Sequence, residues 1–311
     1  MSNEVRVWVD GALVAADQPA LAALDHGVTV GDGAFETCKI VDGQVFAADR
    51  HYARLDRTLA GLGLPPADRG VIEEGVAAVL GAGPTIGFGR LRYTVTAGLG
   101  PLGSDRGDSG MTYIVTAAEV PPFAPSVAVA TVPWTRNERA ATAGLKTTSY
   151  ADNVIALAHA KARGASEAIF GNNRGELCEA TGSNIFVVVD GVVRTPALSS
   201  APLAGITREL TIEWARAAGI EVVEEALPMS VLETCDEVFL TERVHEASRL
   251  QGERDPLFTP AAHTPPNSPC LQSSAAAEGW LSYDVCRNPR PIGSAAMRRA
   301  PARTPAPARE G

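Results

Sequence analysis

The sequence lacks the features of a membrane protein and of a disulfide-bonded secreted domain. No apolar run approaches the roughly 18 residues that a membrane-spanning helix requires. The N-terminus has no basic start followed by an apolar run, as a signal peptide would have. The five cysteines are scattered without a CxxC pair, which favours free thiols in a reducing compartment and predicts no metal site. We therefore expect a cytosolic protein.

An excess of basic residues is also missing. The formal net charge is −9 at pH 7, with 36 acidic against 27 lysine and arginine side chains. This balance argues against nucleic acid or a membrane surface as a partner. With 311 residues, of which 45% are hydrophobic, the chain is long enough for two domains with separate cores.

A Val-Asp-Gly triplet occurs three times, at residues 9–11, 41–43 and 189–191. Each triplet lies between apolar runs, and Asp-Gly in that setting is the sequence signal of a two-residue type I′ hairpin. The sequence therefore predicts antiparallel strand pairs over residues 5–14, 35–46 and 185–195.

Apolar periodicity predicts further elements. Helices are expected over residues 52–62, 68–80 and 206–218, and in the segment after Lys146, where Val154, Leu157 and Ala158 would form the apolar face. Strands are expected over residues 90–96, 113–117, 127–132, 177–181, 221–225 and 237–240. The pattern is that of an α+β protein with mixed and antiparallel sheets.

A proline-rich segment separates the two halves. The run PPFAP at 121–125 breaks both periodicities, which predicts a linker at 121–126 between an N-terminal domain (1–120) and a C-terminal domain (127–241).

The tail, residues 242–311, has a different composition: ten of the 22 prolines fall in 251–311. It is either a natural disordered extension or the product of a reading-frame shift near Thr241. We favour the second explanation, because the change comes inside an element.

Three motifs carry the chemistry. They are GLKTTSY (144–150), LCEATGSNIF (177–186) and LAGITR (203–208). A lysine before a helix, a carboxylate on a strand and a glycine that opens a helix are together what pyridoxal phosphate needs. The lysine binds the aldehyde, the acid keeps the ring nitrogen protonated and the helix start binds the phosphate. Taken singly, Lys146 could be a surface lysine, Glu179 an outward-facing strand residue and Gly205 an ordinary helix cap.

The order and spacing of these motifs resemble the class IV aminotransferases of fold type IV. This family includes branched-chain amino acid aminotransferase, D-amino acid aminotransferase and aminodeoxychorismate lyase. The segment DHGVTVGDGAFET (25–37) also resembles the family, whose members carry a related Gly-Asp-Gly run. The resemblance runs from about Val5 to Thr241. It implies a homodimer that holds pyridoxal 5′-phosphate between its two domains.

The resemblance also implies roles for single residues. Lys146 would be the catalytic residue, removing and returning the substrate α-proton. The cofactor would be bound by Arg54, Lys146, Tyr150, Glu179, Asn184, Gly205, Ile206 and Thr207. Phe35 would form a wall of the substrate pocket, and Arg92 or Arg106 would meet a substrate carboxylate. The simpler alternatives are a solvated arginine at Arg54, a core tyrosine at Tyr150 and a turn residue at Asn184.

Transamination between an amino acid and a 2-oxo acid, of the branched-chain or D-amino acid type, is the function that the resemblance implies first. The alternative is 4-amino-4-deoxychorismate lyase, which releases pyruvate with the same lysine and cofactor. A catalytically impaired remnant is a third possibility. The family's Ser/Thr-rich loop after the strand ending at Thr241 is replaced here by ERVH (242–245).

Overall fold

Two β-sheets organise the part of the chain that the structure describes, one in its first half and one in its second half. The computed structural model describes residues 5–121, 126–241 and 248–251. The first half forms β1 (Arg6–Val9), β2 (Ala12–Val14), β3 (Gly33–Val41), β4 (Gln44–Val45), β5 (Phe88–Thr96) and β6 (Thr112–Glu119). These strands build a six-stranded sheet in the order β2-β1-β6-β5-β3-β4, and each pairing in it is antiparallel.

The first half also contains three helices, of which the second and third pack on this sheet. They are α1 (His26–Thr29), α2 (Ala48–Gly61) and α3 (Arg69–Gly81), which confirms the two longer helices predicted there. Asp68 caps α3, because its carboxylate accepts from the amides of Gly70 and Val71 at 2.9 and 3.3 Å. Large side chains of the core include Trp8, Ile40, Leu55, Leu59, Ile72, Leu91 and Tyr93.

The second half forms a mixed eight-stranded sheet. Its strands are β7 (Ser126–Arg136), β8 (Glu167–Asn172), β9 (Leu177–Ala180), β10 (Asn184–Val189), β11 (Val192–Pro196), β12 (Val222–Glu225), β13 (Glu237–Thr241) and β14 (Ser248–Gln251). Their order is β12-β11-β10-β13-β14-β7-β8-β9. The helices of this half are α4 (Ala151–Lys161), α5 (Ile206–Ala217) and α6 (Val231–Thr234). Strand β8 was not predicted, because all six of its residues are buried and the sequence shows no alternation.

The three Asp-Gly turns have the predicted conformation. Positive φ occurs at both central residues, with 42° and 95° at Asp10 and Gly11, 47° and 77° at Asp42 and Gly43, and 52° and 78° at Asp190 and Gly191. This is the requirement of a type I′ turn. The predicted hairpins are therefore confirmed.

The second sheet extends beyond Thr241, where the sequence places the end of the C-terminal domain. Strand β14 lies between β13 and β7, pairing Ser248 with Leu240 and Leu250 with Val127. A strand of only four residues shows no periodicity in the sequence, so β14 was not predicted, and the domain boundary at Thr241 remains a prediction. The two predictions for the tail, a disordered extension or a reading-frame shift, concern residues 242–247 and 252–311, which lie outside the described residues. Residues 122–125 of the predicted linker also lie outside them.

The apolar face predicted for α4 is wrong. Val154 is 65% exposed, and Ala158 is exposed as well. The buried side chains of this helix are Asn153, Ala156 and Ala160. Asn153 is buried because its amide donates to the carbonyl of Thr181, which a hydrophobic pattern does not reveal. Within the described ranges, no helix is long and apolar enough to cross a membrane.

Candidate active site

Lys146 lies where the segment before α4 meets the beginning of β3. Thr147 forms an isolated antiparallel bridge with Ala34, and the amide of Phe35 donates to the carbonyl of Lys146 at 3.1 Å. The amide of Lys146 donates in turn to the hydroxyl of Thr58 on α2 at 3.3 Å. Lys146 is only 2% exposed, so it is not a surface lysine.

Two aromatic rings lie near the Lys146 amine. Its Nζ lies 4.4 Å from the ring centroid of Phe35 and 5.8 Å from that of Tyr150. The two rings meet edge to face at 5.2 Å, and the guanidinium carbon of Arg92 lies 3.7 Å from the Phe35 centroid. These contacts place three predicted site residues in one group around the lysine, held by cation–π and ring contacts.

Arg54 is buried in an ion pair that the sequence did not predict. Its Nε and Nη2 donate to the two carboxylate oxygens of Glu36 at 2.8 and 2.6 Å. The Nδ1 of His51 lies 2.7 Å from the same carboxylate. Arg54 is 4% exposed, so the solvated-arginine alternative is wrong, and its Nη1 donates to the carbonyl of Ala204 at 3.0 Å.

The charge state of this cluster follows from its burial. Burial alone would raise the pKa of Glu36, but the hydrogen bonds and charges of Arg54 and His51 outweigh it and lower the pKa to about 2. Burial lowers the pKa of His51, against the opposing effect of Glu36. The cluster therefore contains an ionised carboxylate paired with a guanidinium.

The beginning of α5 has the form of an anion site. Gly205 is the N-cap, and a Cβ added to it would lie 1.8 Å from the side-chain oxygen of Asn184, so only glycine fits here. The Asn184 amide donates to the carbonyl of Leu203 at 2.8 Å, which fixes the loop entering the helix. Ile206 is buried and Thr207 is half-buried at the first turn. Backbone amides and the helix dipole at such an end favour a phosphate.

Glu179 contacts the same loop from the other side. One carboxylate oxygen accepts from the amide of Leu203 at 2.8 Å, and the other accepts from Nε of Arg136 at 3.2 Å. The guanidinium of Arg136 stacks at 4.0 Å over the ring of Phe170, which pairs with Glu179 across β8 and β9. Arg136 was missed, because only the folded sheet brings the end of β7 to this carboxylate.

The structure joins the predicted residues through shared neighbours. Residues 203–205 receive contacts from Glu179, Asn184 and Arg54. Glu36, which holds Arg54, follows Phe35 directly on β3. Glu36 was also missed, although it lies in the segment 25–37 that resembles the family. A glutamate inside a predicted strand could have pointed to it.

Arg106 contacts a different set of residues from those around Lys146. Its guanidinium donates to both carboxylate oxygens of Asp32, at 2.6 and 2.7 Å, and to the carbonyls of Leu62 and Gly63 at 2.8 and 3.1 Å. The hydrogen bond from Arg106 lowers the pKa of Asp32. Of the two arginines proposed for a substrate carboxylate, Arg92 is the one stacked on Phe35 in the lysine group. Among the described residues, no cluster of three His, Cys, Asp or Glu side chains could hold a metal ion.

The sequence of this chain matches that of a known protein family and of several named proteins. The sequence model of the family described as amino-transferase class IV matches residues 33–250. A protein of Methanocaldococcus jannaschii provisionally named a branched-chain-amino-acid aminotransferase is 34% identical over 251 residues, covering 76% of this chain and 84% of that protein. A Mycobacterium tuberculosis protein named a bifunctional aminodeoxychorismate lyase and D-amino acid transaminase is 29% identical over 281 residues, covering 80% and 92%.

Solved structures agree with the sequence match. A hypothetical aminotransferase from Mycobacterium tuberculosis, in its PLP-bound form, superposes with a TM-score of 0.71 at 27% identity, covering 81% of this chain and 93% of that one. The family match ends at residue 250, within β14. The α+β architecture is that of the fold type IV transaminases. The chain belongs to the class IV aminotransferase family.

Proposed function

We propose that this protein is a pyridoxal-phosphate-dependent aminotransferase that moves an amino group between an amino acid and a 2-oxo acid. The observation that carries the proposal is the arrangement around residues 203–205. There Glu179, Asn184 and Arg54 converge on the loop that enters α5, and Arg54 is tied through Glu36 to the strand that pairs with the Lys146 segment.

The donor set fits the cofactor. The aldehyde requires an amine shielded from water, and the amine of Lys146 is buried against aromatic rings. The phosphate requires N–H donors, which the first turn of α5 and Arg54 supply. Because Gly205 has no Cβ, it can approach the side-chain oxygen of Asn184 closely at the start of this turn. The ring nitrogen requires a carboxylate, for which Glu179 is held by Leu203 and Arg136. When bound, pyridoxal phosphate supplies an electron sink for the pair left by removal of the substrate α-proton.

The chain's own residues would hold and move protons around that sink. Lys146 would bind the cofactor covalently and then carry the α-proton at Nζ as general base and acid. The Phe35 and Tyr150 rings beside Nζ exclude water from this atom. By the family resemblance, Tyr150 would also donate to the ring hydroxyl. Glu179 would pair with the ring nitrogen and keep it protonated.

Arg92 is the stronger candidate for the substrate carboxylate. Its guanidinium shares the ring of Phe35 with the Lys146 amine, at 3.7 and 4.4 Å from the centroid. An amino acid places its carboxylate one carbon away from the reacting nitrogen, so a cation close to the lysine suits it. The guanidinium of Arg106 instead donates hydrogen bonds to Asp32 and to two backbone carbonyls.

A branched-chain or D-amino acid donor is the first choice for the substrate. Lyase activity on 4-amino-4-deoxychorismate is the second, and the similarity to a relative named for both lyase and D-amino acid transaminase activity supports keeping it. The impaired-remnant alternative rests on residues 242–245, outside the described ranges. Homodimerisation and a cytosolic location remain predictions.

The test is an activity panel on the purified full-length protein saturated with pyridoxal phosphate. L- and D-amino acid donors are paired with 2-oxo acid acceptors, and pyruvate release from 4-amino-4-deoxychorismate is followed in parallel. Lys146→Ala serves as the negative control. Amino transfer that depends on Lys146 supports the proposal, and pyruvate release alone supports the lyase. Bound cofactor with neither reaction would favour the impaired remnant.

A further inference from the structure

A carboxylate with no assigned role in the proposed reaction lies behind Arg54. Glu36 is fully buried on β3 and contacts two residues of α2, His51 and Arg54. His51 and Arg54 are three residues apart on the helix, so their side chains lie on one face, directed at the strand. The Glu36 carboxylate accepts two parallel hydrogen bonds from the guanidinium of Arg54, and one carboxylate oxygen also contacts His51.

The ion pair changes what Arg54 can offer to a phosphate. Because Glu36 is ionised and adjacent, the positive charge of Arg54 is already compensated in the protein interior. Arg54 would therefore bind the phosphate mainly through correctly oriented N–H groups and less through an added positive charge. The orientation of these N–H groups is fixed by two contacts of the guanidinium. One is the pairing with Glu36, and the other is the hydrogen bond from Nη1 to the carbonyl of Ala204, the residue before the N-cap of α5.

We propose that Glu36 is a positioning residue for the phosphate of the cofactor. It holds the Arg54 guanidinium against the loop entering α5, so that the phosphate site is assembled before the cofactor arrives. His51 supports Glu36 from one side. A preorganised arginine loses less side-chain freedom on binding than a mobile one, and this increases affinity without a new contact. This inference rests on the proposed function, since it requires that pyridoxal phosphate binds here.

The experiment compares the binding of pyridoxal 5′-phosphate with that of pyridoxal, which lacks the phosphate. Glu36→Gln keeps the shape of the side chain but cannot pair as a carboxylate with Arg54. We expect the dissociation constant for pyridoxal phosphate to rise about 10- to 100-fold, the effect typical of a disturbed charge-assisted hydrogen bond, while that for pyridoxal changes by less than about threefold. An equal loss for both ligands, or no loss for either, would overturn the inference.

Further variants separate positioning from general damage. Glu73→Gln removes a carboxylate from the exposed Arg69–Glu73 pair on α3 and should leave both constants unchanged. Glu36→Asp keeps the charge and should restore part of the preference for the phosphorylated ligand. If Glu36→Gln does not fold, Arg54→Lys carries the test, because lysine keeps the charge but not the two-pronged pairing. A full preference for pyridoxal phosphate in Arg54→Lys would contradict the inference.

The double variant Glu36→Gln/Arg54→Lys tests whether Glu36 acts through Arg54. Its loss of phosphate preference should be close to that of the larger single loss, since both changes disturb one contact. Strictly additive losses would show that Glu36 acts by another route. If the unaltered protein binds no pyridoxal phosphate, the proposed function itself fails. If the unaltered protein binds it and Glu36→Gln binds it equally well, only this inference fails.

Discussion

The backbone amide of Phe35 donates to the carbonyl of Lys146 at 3.1 Å, while the ring of Phe35 lies 4.4 Å from the amine of the same lysine. One residue of β3 therefore contacts both the backbone carbonyl and the side-chain amine of Lys146. Strand β3 belongs to the first sheet and the lysine precedes the first helix of the second half. The position of the amine consequently depends on how the two halves meet.

Glu179→Gln should keep the cofactor but slow removal of the substrate α-proton by roughly tenfold or more, about 1.4 kcal/mol of barrier. A neutral amide cannot hold the ring nitrogen protonated, so the electron sink is weakened. The measurement is α-deuterium exchange from labelled amino acid in single turnovers. Glu233→Gln, on the exposed side of α6, is the matched control. A rate within about twofold of the parent, roughly 0.4 kcal/mol, would remove Glu179 from this role.

Arg54→Ala should weaken cofactor binding by about 10- to 100-fold, because a charge-assisted contact to the phosphate is lost. It also leaves the Glu36 carboxylate buried without its guanidinium, so the free energy of unfolding should fall. Equilibrium titration and urea unfolding measure the two effects. Arg57→Ala, on the exposed face of the same helix, should change neither. Unchanged cofactor affinity in Arg54→Ala would leave Arg54 with a structural role only.

Arg92→Ala and Arg106→Ala should have different consequences. Loss of Arg92 should raise KM for the amino acid and the 2-oxo acid about tenfold, with little effect on cofactor affinity. Loss of Arg106 should lower stability by about 1 kcal/mol or less, because its pair with Asp32 is partly exposed at 36% for the arginine. Steady-state kinetics and thermal unfolding separate the two. A raised KM in Arg106→Ala alone would reverse the assignment.

Glu36 should make stability depend on pH in the acid range. Its pKa falls from the ordinary 4.5 to about 2 in the folded protein. A lowered carboxylate pKa contributes stability that is fully present above the unfolded value and is lost as pH falls through the folded one. The stability advantage of the parent over Glu36→Gln should therefore shrink between pH 5 and pH 2, by about 1.4 kcal/mol per unit at most. A constant difference in urea unfolding across that window would contradict the assigned pKa.

The sequence predicted what local chemistry determines. Asp-Gly fixed the three hairpins because both central residues adopt positive φ there, and the motifs around Lys146, Glu179 and Gly205 could be recognised as short segments. Burial of Lys146 and Arg54 agrees with the roles predicted for them, which remain predictions.

The groups that orient these residues could not be predicted. Arg54 contacts Glu36 across 18 residues and Ala204 across 150, and Arg136 reaches Glu179 across 43. Such contacts depend on strand order and on the register shift within the β7–β8 pairing, which no local pattern encodes. The face of α4 was misread for a related reason, since its buried side depends on two alanines and on a hydrogen bond from Asn153 to a distant carbonyl.

Covalent trapping of the cofactor tests the central claim most directly. The full-length protein is incubated with pyridoxal 5′-phosphate, reduced with borohydride, digested and analysed by mass spectrometry. The chain has two other lysines, Lys39 and Lys161, and these serve as internal controls. We predict a single adduct on Lys146 that is absent from a folded Lys146→Ala variant and unchanged in Lys161→Ala. An adduct on Lys39 or Lys161 in place of Lys146, or one that persists in Lys146→Ala with activity intact, would contradict the account.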